Sequence, residues 1–185
     1  LAVAFEVPMA QVVKVFLEHG ANIFPIYERP GGKLKIGLDL WKHSRKARYS
    51  TFPLRDAISQ LIPVNATLGD AIHPVAIPAV NVTQGTPQVF KTRHKREWNR
   101  DWKLKAVNVA LATAAAPTFF ELAEVQGCLY ADGGLFANAP DLVAAHEAEH
   151  FFEVSAEALR ILSVGTTTQS YSLSFSSGRD FGIAD

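Results

Sequence analysis

Apolar residues in the first part of the chain recur with a helical period. Met9, Val12, Val13, Phe16 and Leu17 share one face at the i, i+3, i+4, i+7, i+8 spacing. Pro8 suits the start of such a helix and Gly20 its C-terminal stop, so the pattern predicts a helix over residues 8–20 with that stripe turned to the core. A second helix is predicted from Pro53, with Leu54, Ala57, Ile58 and Leu61 on one side, and a further helical turn over residues 67–72. Residues 74–82 form a β-branched run broken by Pro78. Gly85 marks a turn, and residues 87–90 form a second strand. The prolines in these strands predict an edge or a bulge.

Residues 104–115 read as a helix whose tract Ala110, Ala112, Ala114, Ala115, Ala116 lets another backbone approach, with Pro117 ending it. Residues 127–131 read as a buried strand running into Asp132-Gly133-Gly134. Asn138 is placed to cap a helix over residues 139–152, and residues 159–164 form a last buried strand closed by Gly165. Residues 29–50 read as a surface excursion. Helices alternating with short apolar strands predict an α/β layered domain with a mostly parallel sheet.

Composition narrows the function classes. The 185 residues suit one domain, and 18 basic against 18 acidic residues give a net charge of +0, so nothing global draws the protein to nucleic acid or an anionic surface. One cysteine, Cys128, excludes an intrachain disulfide and fits a reducing compartment. No apolar run approaches the roughly 18 residues that a membrane span needs. The most basic stretch, residues 91–105, interleaves Lys91, Arg93, Lys95, Arg96, Arg100, Lys103 and Lys105 with Trp98 and Trp102. Such a stretch can bind single-stranded nucleic acid or meet lipid headgroups. The expectation is a solvated segment whose tryptophans fold back on the core, near the lipid-facing side and not a nucleic-acid site.

Two constellations could carry chemistry. His146-Glu147-Ala148-Glu149-His150 matches H-E-x-x-H, in which two histidines on one helix face hold zinc and the glutamate is general base. A catalytic zinc needs a third protein ligand, and no histidine follows His150; the downstream acids Glu153, Glu157, Asp180 and Asp185 are poorly placed. No metal is expected. The other constellation is Asp132-Gly133-Gly134, a carboxylate ending an apolar strand before two residues that tolerate unusual backbone angles. Strand ends in α/β sheets are ligand-binding places, and a carboxylate there can deprotonate a nucleophile.

The runs Ala110-Leu111-Ala112-Thr113-Ala114-Ala115-Ala116-Pro117-Thr118-Phe119-Phe120 and Leu129-Tyr130-Ala131-Asp132-Gly133-Gly134-Leu135-Phe136-Ala137-Asn138-Ala139-Pro140 resemble the patatin-like phospholipase family. Its signature is A-T-S-A-A-P-T-x-F followed by Y-x-D-G-G-x-x-x-N-x-P; Ala114 stands where the family often has serine. Further pieces agree in order, among them Val75–Val80, Pro87–Lys91 and Ile161–Thr166. Residues 81–91 and 138–150 resemble the bacterial members, some of which are activated by cyclic nucleotides in phage defence.

The resemblance implies a three-layer α/β sandwich and a lipid acyl hydrolase of phospholipase A or lysophospholipase type, working through a Ser–Asp dyad without a cofactor. Asp132 matches the catalytic aspartate, supported by Gly133 and Gly134. The family's serine sits in a G-x-S-x-G elbow; that motif does not occur in residues 1–185, and neither does the glycine-rich oxyanion loop. The expectation is therefore a single partial catalytic domain over residues 1–185, N-terminally truncated and inactive by itself. Its substrate would be a phospholipid or other lipid ester at a membrane surface, in a protein that is cytoplasmic and peripheral to that membrane. The alternatives are an inactive relative that binds lipid or a partner, and a zinc peptidase using residues 146–150.

Overall fold

The computed structural model describes residues 1–25 and 47–165. The excursion expected over residues 29–50 lies, up to residue 46, outside the described residues, as does the turn at residue 166. Five α-helices are described: α1 (Met9–Ile23), α2 (Phe52–Leu61), α3 (Ala106–Thr113), the single turn α4 (Gly134–Ala137) and α5 (Asp141–Phe151), beside three short 3-10 turns. Four strands, β1 (Ala76–Asn81), β2 (Thr86–Lys91), β3 (Ala123–Val125) and β4 (Cys128–Asp132), form one sheet in the order β2-β1-β4-β3.

The α/β class holds. The pairings of this sheet, however, are all antiparallel, where a mostly parallel sheet was expected. The connections give the reason for two of the three pairings, β1 with β2 and β3 with β4. Residues 82–85 join β1 to β2, and Gln126-Gly127, both at positive φ, join β3 to β4. So short a connection can only reverse the chain, whereas a parallel crossover needs about a dozen residues or more.

α3 is the centre of the molecule, because a helix of small and apolar residues can be buried on every side. Its Ala106, Val109 and Ala112 join Leu68, Ile77, Ala79, Phe90 and Tyr130 in a core against the sheet. Its Val107 and Leu111 join Val15, Ile23, Leu54, Ala57 and Phe120 in a second core against α1 and α2. Sheet, α3 and the α1–α2 pair thus form successive layers.

Four local expectations are corrected. α1 runs through Gly20 to Ile23, since three further residues keep the helical ladder. Its stripe does not face the core: Leu17 is 81% exposed, and Met9, Val13 and Phe16 are exposed too, while Val15 and Ile23 are buried. Pro78 is not in an edge strand. It lies within β1 one position beyond the last pair with β4, Ala79↔Asp132, where β4 no longer requires a ladder bond. Residues 159–164 are not a buried strand; Leu162 and Val164 are exposed, and no described strand pairs with them.

Candidate active site at the end of strand β4

The two sequence blocks that carry the signature meet in space. β4 delivers Asp132 at its C-terminal end, and the Asp132 backbone N–H donates to the carbonyl of Ala115, just past α3, at 2.9 Å. Ala115 is buried, and its small side chain lets the two backbones come that close. Thr113, the last residue of α3, donates its hydroxyl to the Pro78 carbonyl at 2.6 Å. Gly133 lies against that same carbonyl, where a Cβ would overlap the oxygen. The site is therefore a junction of β1, the end of α3 and the β4–α4 turn.

The glycines serve a different purpose from the one expected. Gly133 has φ −65° and ψ −21°, which any residue adopts, so close approach and not an unusual angle demands glycine there. Gly134 donates its backbone N–H to Asp132 Oδ1 at 2.6 Å, and a Cβ on it would sit 3.1 Å from that oxygen. Oδ1 is thus fixed. Oδ2 accepts no hydrogen bond among the described residues, and it is the oxygen with capacity to take a proton. Asn138 does not cap α5. It follows the single-turn helix α4, and Pro140 occupies the N-cap position of α5 without a side-chain cap bond.

The second constellation is resolved differently. His146 and His150 lie side by side, ring centroids 4.0 Å apart, on the outer face of α5. Glu147 turns the other way and is the one buried residue of that helix. Its carboxylate meets Lys91 Nζ at 2.5 Å and His94 Nδ1 at 2.7 Å. Burial opposes the charged form of Glu147, but the hydrogen bonds and charges of Lys91 and His94 outweigh it and hold its pKa below the usual carboxylate range. A carboxylate so engaged is a structural anchor, not a free general base. Among the described residues, no group of three His, Cys, Asp or Glu is placed to hold a metal ion.

His94 is nearly fully buried, and its Nε2 faces the Thr92 hydroxyl at 2.9 Å, which itself accepts the Val75 N–H at 2.9 Å. Assigning the tautomer from this network, the Thr92 hydroxyl donates to Nε2, and Nδ1–H donates to Glu147. Sequence reasoning missed this cluster. A buried glutamate leaves no mark in an Ala- and Glu-rich helix, and its partners lie more than fifty positions away. The tryptophans, expected to fold back on the core, are in neither core cluster: Trp98 packs on Phe151 at 4.8 Å between ring centroids, and Trp102 packs against Gly69. The Ser163 hydroxyl donates to Asp141 Oδ2 at 3.1 Å.

Comparison with known proteins agrees with this junction. The patatin-like phospholipase family matches residues 2–145, which include both signature blocks, and the chain belongs to that family. Among its relatives is a cGAMP-activated phospholipase of Pseudomonas aeruginosa, 37% identical over 169 residues, covering 91% of this chain and 48% of the relative. One of the same name from Vibrio cholerae is 35% identical over 184 residues, covering 96% of this chain and 52% of the relative. A third, from Escherichia coli, is 40% identical over 132 residues, covering 68% and 37%. The chain thus spans about half the length of the first two relatives.

Proposed function

We propose that Asp132 is the base of a Ser–Asp dyad in a lipid acyl hydrolase, with the serine supplied by protein outside residues 1–185. The observation that carries this reading is the Asp132 carboxylate, with Oδ1 held by the Gly134 N–H and Oδ2 open. Oδ2 accepts the proton of the serine hydroxyl as its oxygen bonds to the ester carbonyl carbon, since an unaided hydroxyl is a weak nucleophile. Backbone amides of the family's glycine-rich loop, also outside these residues, take the negative charge of the tetrahedral intermediate. Asp132 returns the proton to the departing alcohol. It then takes one from water, whose oxygen bonds to the acyl carbon, and gives it to the serine oxygen as the acyl–serine bond breaks and the fatty acid leaves.

Leu135, Phe136 and Leu142 follow Asp132 closely in sequence and are exposed, which suits a phospholipid presented at a membrane surface. No described helix is long and apolar enough to cross a membrane; our reading is of a cytoplasmic enzyme peripheral to the membrane. Three of the seven cations of residues 91–105 are bound locally to oxygens: Lys91 to Glu147, Arg93 to the Arg96 carbonyl, and Arg100 to Asp101. The relatives are named for activation by cGAMP, and we extend that to this protein: hydrolysis is switched on by a cyclic dinucleotide. Fatty-acid release from phospholipid vesicles by the full-length protein, with and without cGAMP, is the test. We expect release that rises with cGAMP and none from residues 1–185 alone. A full-length protein that binds vesicles but never releases fatty acid would support the inactive, lipid-binding relative instead.

A further inference from the structure

Beside β2, the edge strand, lies a cavity of about 460 Å³ walled by Lys91, Thr92, Trp98, Arg100, Asp101 and Trp102. Its size falls in the range of small-molecule sites, roughly 300–1,000 Å³. Asp132 is not in its wall, so it is not the site just described. Two indoles offer planar apolar surface. Lys91 Nζ lies 4.9 Å from the centre of the Trp98 ring, and Arg100 Nε donates to Asp101 Oδ1 at 2.6 Å. The indole N–H of Trp102 is buried without a partner among the described residues.

We propose that this cavity is an effector site for a nucleotide-class ligand, a planar base bearing phosphate, and that Lys91 couples its occupancy to the Asp132 turn. The inference rests on the ligand-activated reading above and names where that ligand acts. Each part of the ligand has a counterpart. Indole faces stack on a base, and stacking tolerates any base because each presents a π face. Asp101 accepts N–H groups from a base edge. Lys91 and Arg100 meet phosphate oxygens.

The coupling follows from the charge balance. Lys91 is already paired with Glu147, and Arg100 with Asp101, so a phosphate gains these cations only by competing with carboxylates. Glu147 is the one buried residue of α5, and α5 continues from Asp132 through Gly133 and α4. Both sites border β1, where Ala76 pairs with Lys91 and Ala79, three residues along, with Asp132. A ligand that draws Lys91 from Glu147 loosens the anchor of the helix that follows the catalytic turn. Affinity for ligand and strength of the anchor are then linked, with equal and opposite effect.

The test is titration of the intact full-length protein, followed by tryptophan fluorescence and calorimetry. The probes are cGAMP, inorganic phosphate and phosphatidylglycerol vesicles. We expect cGAMP to bind and the other two not to displace it. Arg100→Ala should weaken cGAMP binding at least tenfold; the Arg100 side chain is 62% exposed, so this variant should fold. Glu147→Gln frees Lys91 and should tighten binding several-fold, which a merely structural glutamate would not do. Undiminished binding by Arg100→Ala, or displacement of cGAMP by phosphate or vesicles, would overturn the site. If cGAMP stimulates hydrolysis while both variants bind as the parent does, the site is wrong and the activated hydrolase stands. If cGAMP binds with the expected variant effects but never stimulates hydrolysis, the site stands and activation fails.

Discussion

Two glycines with the same side chain have opposite expected responses to an added methyl group. At Gly133 a Cβ would overlap the Pro78 carbonyl, a backbone atom of an interior strand that cannot swing aside. Gly133→Ala should therefore destabilise by roughly 2–3 kcal/mol, the upper range for overpacking, and lower the melting temperature by several degrees. Gly20 lies inside α1 with nothing within 4 Å of a built Cβ. Gly20→Ala should stabilise by about 0.5–1 kcal/mol, because alanine loses less backbone entropy in a helix. Thermal melts of the two variants check both signs together. The need for glycine at position 133 was legible in the Asp-Gly-Gly pattern, but its cause was not, since a steric clash with Pro78 depends on how strands separated by some fifty residues lie together.

At the scale of elements, α5 is held chiefly by polar chemistry. Leu142 in its first turn is exposed, and only Glu147 is buried, against Lys91 and His94. Removing one member of such a buried group strands the others, so Glu147→Ala should cost roughly 3 kcal/mol in a denaturant titration at pH 7. The pKa of Glu147 is held below its unfolded value of about 4.3. Its contribution is therefore complete above that value and is lost as pH falls through the depressed folded value. Glu147→Gln, which mimics the protonated acid, should differ clearly from the parent at pH 7 and converge on it at lower pH. A gap that persists unchanged down to pH 2 would contradict the ion cluster.

Local pattern served unevenly at this scale. α2, α3 and the β1–β2 hairpin follow from period, proline and glycine placement, and α2 buries Leu54 and Ala57 of the face expected of it. The stripe of α1 does not, because a moment says which residues share a face but not which face meets α2 and α3. For residues 159–164, apolar content alone suggested a strand, yet a strand exists only with a neighbour to pair with, and hydropathy does not supply one.

At the scale of the whole molecule, the structure unites residues that the signature keeps apart. Thr113 and Ala115 close one side of the junction, Asp132 and Gly133 the other, and Pro78 is the floor between them. The catalytic candidate was legible because these short motifs recur in fixed order. The anchor at Glu147 and the cavity beside β2 were not, because they are assembled from charges and indoles whose spacing in sequence carries no period. The central claim concerns Asp132, and the most direct measurement is ester release by the full-length protein carrying Asp132→Asn. Asparagine keeps the size of the side chain and an oxygen to accept the Gly134 N–H, so melting and vesicle binding should match the parent. It cannot take the serine proton, so the rate should fall at least about a hundredfold. A folded Asp132→Asn protein that releases fatty acid at the parent's rate would show that the base lies elsewhere.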